Sequence, residues 1–179
     1  MITPVAGPGE VVIGVVVTVP QPHADVLAEA RRESGDPEGH TLAPHVTLVG
    51  PVAVARADLG AVDEHLARSA GGHAPFDVHL RGAGTFRPVS PVVFATMTRG
   101  IADCEQLERV IRSGPLHHRL RFPYHPHVTV AQGVGDEALD AAMQQLADFE
   151  AVFHVSSIDR YELDDDGVWR PVRAFAIGG

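Results

Sequence analysis

Two five-residue phrases, Pro44-His45-Val46-Thr47-Leu48 and Pro126-His127-Val128-Thr129-Val130, hold the residues of this chain best suited to chemistry. Each sets a histidine and a hydroxyl two positions apart in an apolar, β-branched run. Such a run favours a strand, and a strand turns both polar side chains to one face. Val46, Leu48, Val128 and Val130 then point the other way, into a core. An imidazole exchanges a proton near neutrality, and a threonine hydroxyl donates a hydrogen bond to an oxyanion. Two imidazoles facing one opening, each with a hydroxyl nearby, are the parts for general acid and base catalysis at a phosphate. With ordinary pKa values near 6.5, one imidazole can accept a proton while the other donates. The expected signature is a bell-shaped dependence of rate on pH.

Other side chains are candidates for supporting roles. Tyr124, three residues before His127, suits either stacking on an unpaired base or packing. Arg119 and Arg121 approach the second motif and suit a phosphate or plain solvation. Phe86 and Arg87 fall in a loop that can line a cleft. His125 and the pair His117-His118 invite a zinc reading, but neither cluster has a recognised ligand spacing, so no metal site is assigned. Cys104 and Trp169 read as core residues.

The elements that must position these groups follow from periodicity and turn residues. A strand is expected over 10–19, a helix over 22–33, the first motif strand, a helix over 56–69 and a strand around 76–80. The same order then begins again. A strand over 92–98, a helix over 101–112, the second motif strand, a helix over 135–148, a strand over 152–161 and a last strand over 168–177 complete the chain. The two motifs occupy equivalent places in two half-chains, as an internal duplication would give. The expected fold class is α+β, with two pseudo-symmetric lobes, each a small antiparallel-type sheet with helices outside, around a central cleft. Residues 1–179 are expected to form a single domain, with lobe one over about 10–85 and lobe two over about 90–179.

Bulk properties narrow the function classes. At 179 residues, 45% hydrophobic and 21% charged, the chain has the composition of a globular protein. Its longest apolar run, 11–19, is too short to span a bilayer, and the first residues lack the basic region of a secretory signal. A cytoplasmic, monomeric protein with no membrane partner is the default. One cysteine permits no internal disulfide. The net charge of −9 argues against gripping extended nucleic acid by its phosphates, while leaving a single terminal or small phosphate open. All 14 basic residues are arginine, a side chain suited to a two-pronged hold on phosphate.

With one His-x-Thr-x motif in each half, His45-Val46-Thr47-Leu48 and His127-Val128-Thr129-Val130, the sequence resembles the 2H phosphoesterase superfamily. The likeness is to its bacterial 2′-5′ RNA ligase-like, or RNA 2′,3′-cyclic phosphodiesterase, branch. The resemblance implies a two-lobed cleft that works without metal or organic cofactor. It implies that His45 and His127 are the catalytic pair, with His45 giving a proton to the leaving oxygen and His127 acting as base toward water. Thr47 and Thr129 would bind the phosphate oxygens, and Tyr124 is added as a substrate-binding candidate. The implied substrate is a 2′,3′-cyclic phosphate or 2′-5′ phosphodiester, at an RNA 3′ end or in a small cyclic nucleotide. Several ligase-type members carry a basic residue soon after the second motif, where Ala131-Gln132-Gly133 stands here. The alternative is a non-catalytic nucleotide- or phosphate-binding module of the same fold.

Overall fold

A computed structural model describes residues 3–178. The described residues form eight strands and four α-helices: β1 (Glu10–Thr18), α1 (His23–Glu33), β2 (His45–Ala55), α2 (Leu59–Gly71), β3 (Phe76–Thr85), β4 (Val92–Arg99), α3 (Ile101–Arg112), β5 (His127–Gln132), α4 (Asp136–Gln145), β6 (Glu150–Val155), β7 (Ser157–Leu163) and β8 (Trp169–Ala176). All strand pairs are antiparallel, in the order β6-β3-β4-β5-β2-β1-β7-β8. The expected α+β class holds, realised as one continuous sheet of two four-stranded halves. Among the described residues the only register pair joining the halves is Val46 opposite Val128, so the two motif strands themselves form the seam.

The halves of the sheet are not the halves of the chain. β3, expected in the first lobe, pairs with β4 and β6, and β7 and β8 join β1. The helices cross over as well. α1 packs on β5 and touches α4, whereas α3 packs on β2 and beside α2. Each motif strand is therefore covered by the helix that precedes the other motif in sequence. α3 shows how a helix supports this: Cys104, Leu107 and Ile111 recur on one face and are fully buried.

β1 reads as an unbroken apolar run because it is central. Val11, Ile13, Val15 and Val17 enter the main core under the helices, while Val12 and Val16 are buried on the opposite face. The expected strand over 152–161 is two strands that belong to opposite halves of the sheet. β6 pairs with β3, and after Ser156 the chain crosses to pair with β1 as β7. The burial phase records the break: Ala151, Phe153 and Val155 are buried at odd positions, then Ile158 at an even one. No helix among the described residues is long and apolar enough to cross a membrane.

Candidate active site

His45 and His127 are the first residues of β2 and β5. Val46 and Val128 face the core, completely buried, and the flanking histidines and threonines are half-buried on the opposite face. Carrying the antiparallel register one residue each way from Val46–Val128 sets His45 beside Thr129 and Thr47 beside His127. Cross-strand neighbours have Cβ atoms roughly 5 Å apart, closer than residues two apart along one strand. On this register each motif histidine has a motif threonine of the other strand as its cross-strand neighbour. The sequence shows the four residues, but their pairing belongs to the fold.

Both rings are oriented by the same local device. Nδ1–H of His45 donates to the Ala43 carbonyl at 2.7 Å, and Nδ1–H of His127 donates to the His125 carbonyl at 2.7 Å. A proline stands between donor and acceptor in each case, and the residue before a proline is biased to an extended conformation, so the two rings share one local backbone setting. A carbonyl can only accept, so each ring carries its hydrogen on Nδ1. Nε2 is left as the nitrogen that exchanges protons. Burial lowers the pKa of His45 from 6.5 to about 4, helped by the charges of Arg31 and His127 and opposed by the Ala43 carbonyl. His45 as a whole is half-buried, and the packed atoms around its ring exclude most of its water. Burial also lowers the pKa of His127, with His125 adding to the effect and its carbonyl opposing it.

The two sides of the seam present different chemistry. On the β4 side, Phe94 lies opposite Thr129, and Thr96 opposite His127. The Phe86 and Phe94 rings sit 4.9 and 5.0 Å from that of His127, with 4.4 Å between themselves and His125 close to both. Gly84 makes room for this set, since a Cβ there would lie 2.6 Å from Phe94 Cε2. On the β1 side, Thr18 is the cross-strand partner of His45. Its hydroxyl donates to Asp159 Oδ2 at 2.7 Å and lies 3.3 Å from the Tyr161 hydroxyl. Thr18, Asp159 and Tyr161 were not legible as site residues, because nothing in the sequence reveals that β7 pairs with β1.

The other candidates divide. Phe86 joins the site, whereas Arg87 turns to Asp136 and Asp140 on α4. Tyr124 is not an open stacking platform: its ring packs against the main core and its hydroxyl donates to the Thr47 carbonyl at 2.9 Å. Burial raises the pKa of that phenol, keeping it a donor. Arg119 and Arg121 are exposed, with the Arg121 guanidinium 5.2 Å above the Phe122 ring. Trp169 is not core; it is half-buried against Gly14 of β1, on the face that carries Thr18. Cys104 is fully buried, and burial pushes its thiol up to about 12. Gln132, in the Ala131-Gln132-Gly133 segment after the second motif, is locked into a partly buried network. Arg31 donates to Asp36 and Glu38, the Gln132 amide side chain donates to Glu38, and its backbone N–H donates to Asp36.

A His-x-Thr strand from each half of an antiparallel sheet, meeting at its seam, defines the two-histidine, or 2H, phosphoesterase fold class. Over residues 19–167 the chain matches the family model described as the 2′-5′ RNA ligase superfamily, and it belongs to that family. Two bacterial relatives bear the name "Putative phosphoesterase". The one from Staphylococcus haemolyticus is 25% identical over 150 residues, 82% of this chain and 88% of its own. The one from Bacillus licheniformis is 27% identical over 166 residues, 91% and 97% respectively. Among solved structures, E. coli LigT complexed with 3′-AMP superposes with a TM-score of 0.75 at 19% identity, covering 95% of this chain and 99% of that one.

Proposed function

We propose that this protein is a phosphodiesterase that opens 2′,3′-cyclic phosphates to 2′-phosphates with two histidines and no cofactor. The observation that carries the reading is the matched pair of imidazoles at the seam, each fixed through Nδ1 and each with a threonine hydroxyl from the opposite strand. In the proposed reaction His127 Nε2 takes a proton from water as its oxygen attacks phosphorus. His45, protonated on Nε2, gives its proton to the departing 3′ oxygen on the opposite side. The P–O3′ bond breaks as the new P–O bond forms, leaving a 2′-phosphate and a 3′-hydroxyl. Proton exchange with solvent then resets the pair.

Thr47 and Thr129 donate to the non-bridging oxygens, where negative charge grows in the transition state. Tyr124 acts one step back, fixing the Thr47 backbone. The monoanionic diester supplies what the free protein lacks, a charge that raises the pKa of His45 enough for it to hold its proton. The relatives' phosphoesterase names support the reaction class. E. coli LigT structures with 3′-AMP, NADP+ and ATP support a small nucleotide as the ligand class. The net charge of −9 points the same way, toward a short substrate.

The test is hydrolysis of nucleoside 2′,3′-cyclic phosphates and of an RNA ending in one, in EDTA. His45→Ala and His127→Ala are each expected to lower kcat by about 10²- to 10⁴-fold while the protein stays folded. A variant of either histidine that retains wild-type turnover would refute the two-histidine mechanism.

A further inference from the structure

We infer that Asp159 is a specificity-determining residue for the leaving-alcohol side of the substrate. It favours a group that donates hydrogen bonds there and disfavours a second phosphate. The inference rests on the phosphodiesterase reading and deepens it. The two halves of the sheet present the motif residues with near symmetry, yet their flanks differ. Beside His127 the same face carries Phe86, Phe94, Thr96 and Gly84, none of them acidic. Beside His45 it carries Thr18 and, one strand further, Asp159.

The hydrogen bonds around Thr18 leave the carboxylate one vacant acceptor. Thr18 spends its hydrogen on Asp159 Oδ2, so the Tyr161 hydroxyl is the donor in its 3.3 Å contact with Thr18. Asp159 Oδ1 has no hydrogen-bond partner among the described residues. Nor does a cation neutralise this carboxylate: the adjacent Arg160, and Arg173 opposite it on β8, both turn to the other face and hold Asp63 of α2. The strand neighbours of Asp159 are Val16 and Ala174, which offer neither charge nor bulk. A half-buried, unneutralised carboxylate held by strand geometry accepts hydroxyl or amino hydrogens, and it repels phosphate through a low-dielectric wall. Thr18 places it on the side of His45, the proposed donor to the leaving oxygen. The part of the substrate selected is therefore the side of the ribose that carries the departing 3′ oxygen, the ribose staying bound to phosphorus through its 2′ oxygen, and a free hydroxyl is favoured there over a phosphorylated one.

Two probes isolate the effect: adenosine 2′,3′-cyclic phosphate, and the same compound carrying a 5′-phosphate. Wild-type protein is expected to favour the first by about tenfold or more in kcat/KM. Asp159→Asn keeps an acceptor for Thr18 and removes the charge. It should lower kcat/KM for the first probe and raise it for the second, shrinking the preference to about threefold or less. Structural damage lowers both values, so opposite changes are the signature. Turnover of both probes with the ratio unchanged by Asp159→Asn, or with no preference in the wild type, overturns this inference alone. No turnover of either probe by folded wild-type protein overturns the phosphodiesterase reading and this inference with it.

Discussion

Each motif imidazole donates Nδ1–H to a neutral carbonyl two residues earlier in the chain, just before its strand begins, so the partner of each ring carries no charge to stabilise a positive imidazole. Burial therefore decides both pKa values, and both move down. The consequences for pH have definite signs. If His45 and His127 are the proposed acid and base, their lowered pKa values in the free protein place the optimum of kcat/KM on the acid side of 6.5. Bound diester raises the pKa of the acid, so the basic limb of the kcat profile should lie at higher pH than that of kcat/KM. An optimum of kcat/KM above pH 8 would contradict the assignment. Stability follows the same linkage. Unfolded His45 protonates near 6.5 and folded His45 near 4, so the free protein loses stability as pH falls through that window. Chemical denaturation at a series of pH values should show this loss, reduced in His45→Gln.

At the scale of elements, the site depends on supports that reach across between motifs. Tyr124, in the segment leading into β5, hydrogen-bonds the backbone of β2 at Thr47. Tyr124→Phe should cost about 1 kcal/mol of stability. The same variant should lower kcat more than it alters KM, because it frees Thr47, a hydroxyl assigned to the transition state. Equal loss in a variant with an unrelated core defect of the same size would assign Tyr124 a structural role only. The motif strands and all four helices were legible in the sequence, because apolar periodicity is a local property. Helix α4 was expected over 135–148 and ends earlier, at Gln145. The expected single strand over 152–161 joined two strands because Val155-Ser156-Ser157 contains no glycine or proline to mark the crossing. The shift of buried positions from odd to even across Ser156 was the available signal. Thr18, Asp159 and Tyr161 were beyond reach for a different reason, as their meeting depends on the pairing of β1 with a strand from the other end of the chain.

At the scale of the whole molecule, the two halves are interlocked rather than merely joined. α1 covers the second motif strand and α3 the first, while β3 and β7 each pair away from their own half of the chain. A break in the loop between β3 and β4 would leave both fragments with strands and helices lacking their apolar partners. Fragments 1–89 and 90–179 should each lack a cooperative thermal transition when separate, and should regain secondary structure when mixed. A cooperative transition in either fragment alone would show that the crossing is not essential. The neutral resting state of the histidines has a further effect in this setting. A diester of the proposed kind, approaching from solvent, meets a molecule of net charge −9 whose two motif imidazoles are both shifted toward the neutral form, so the net charge and the pair supply no attraction at long range. Encounter is left to diffusion against a mild barrier that counter-ions lower, and recognition begins only at contact range.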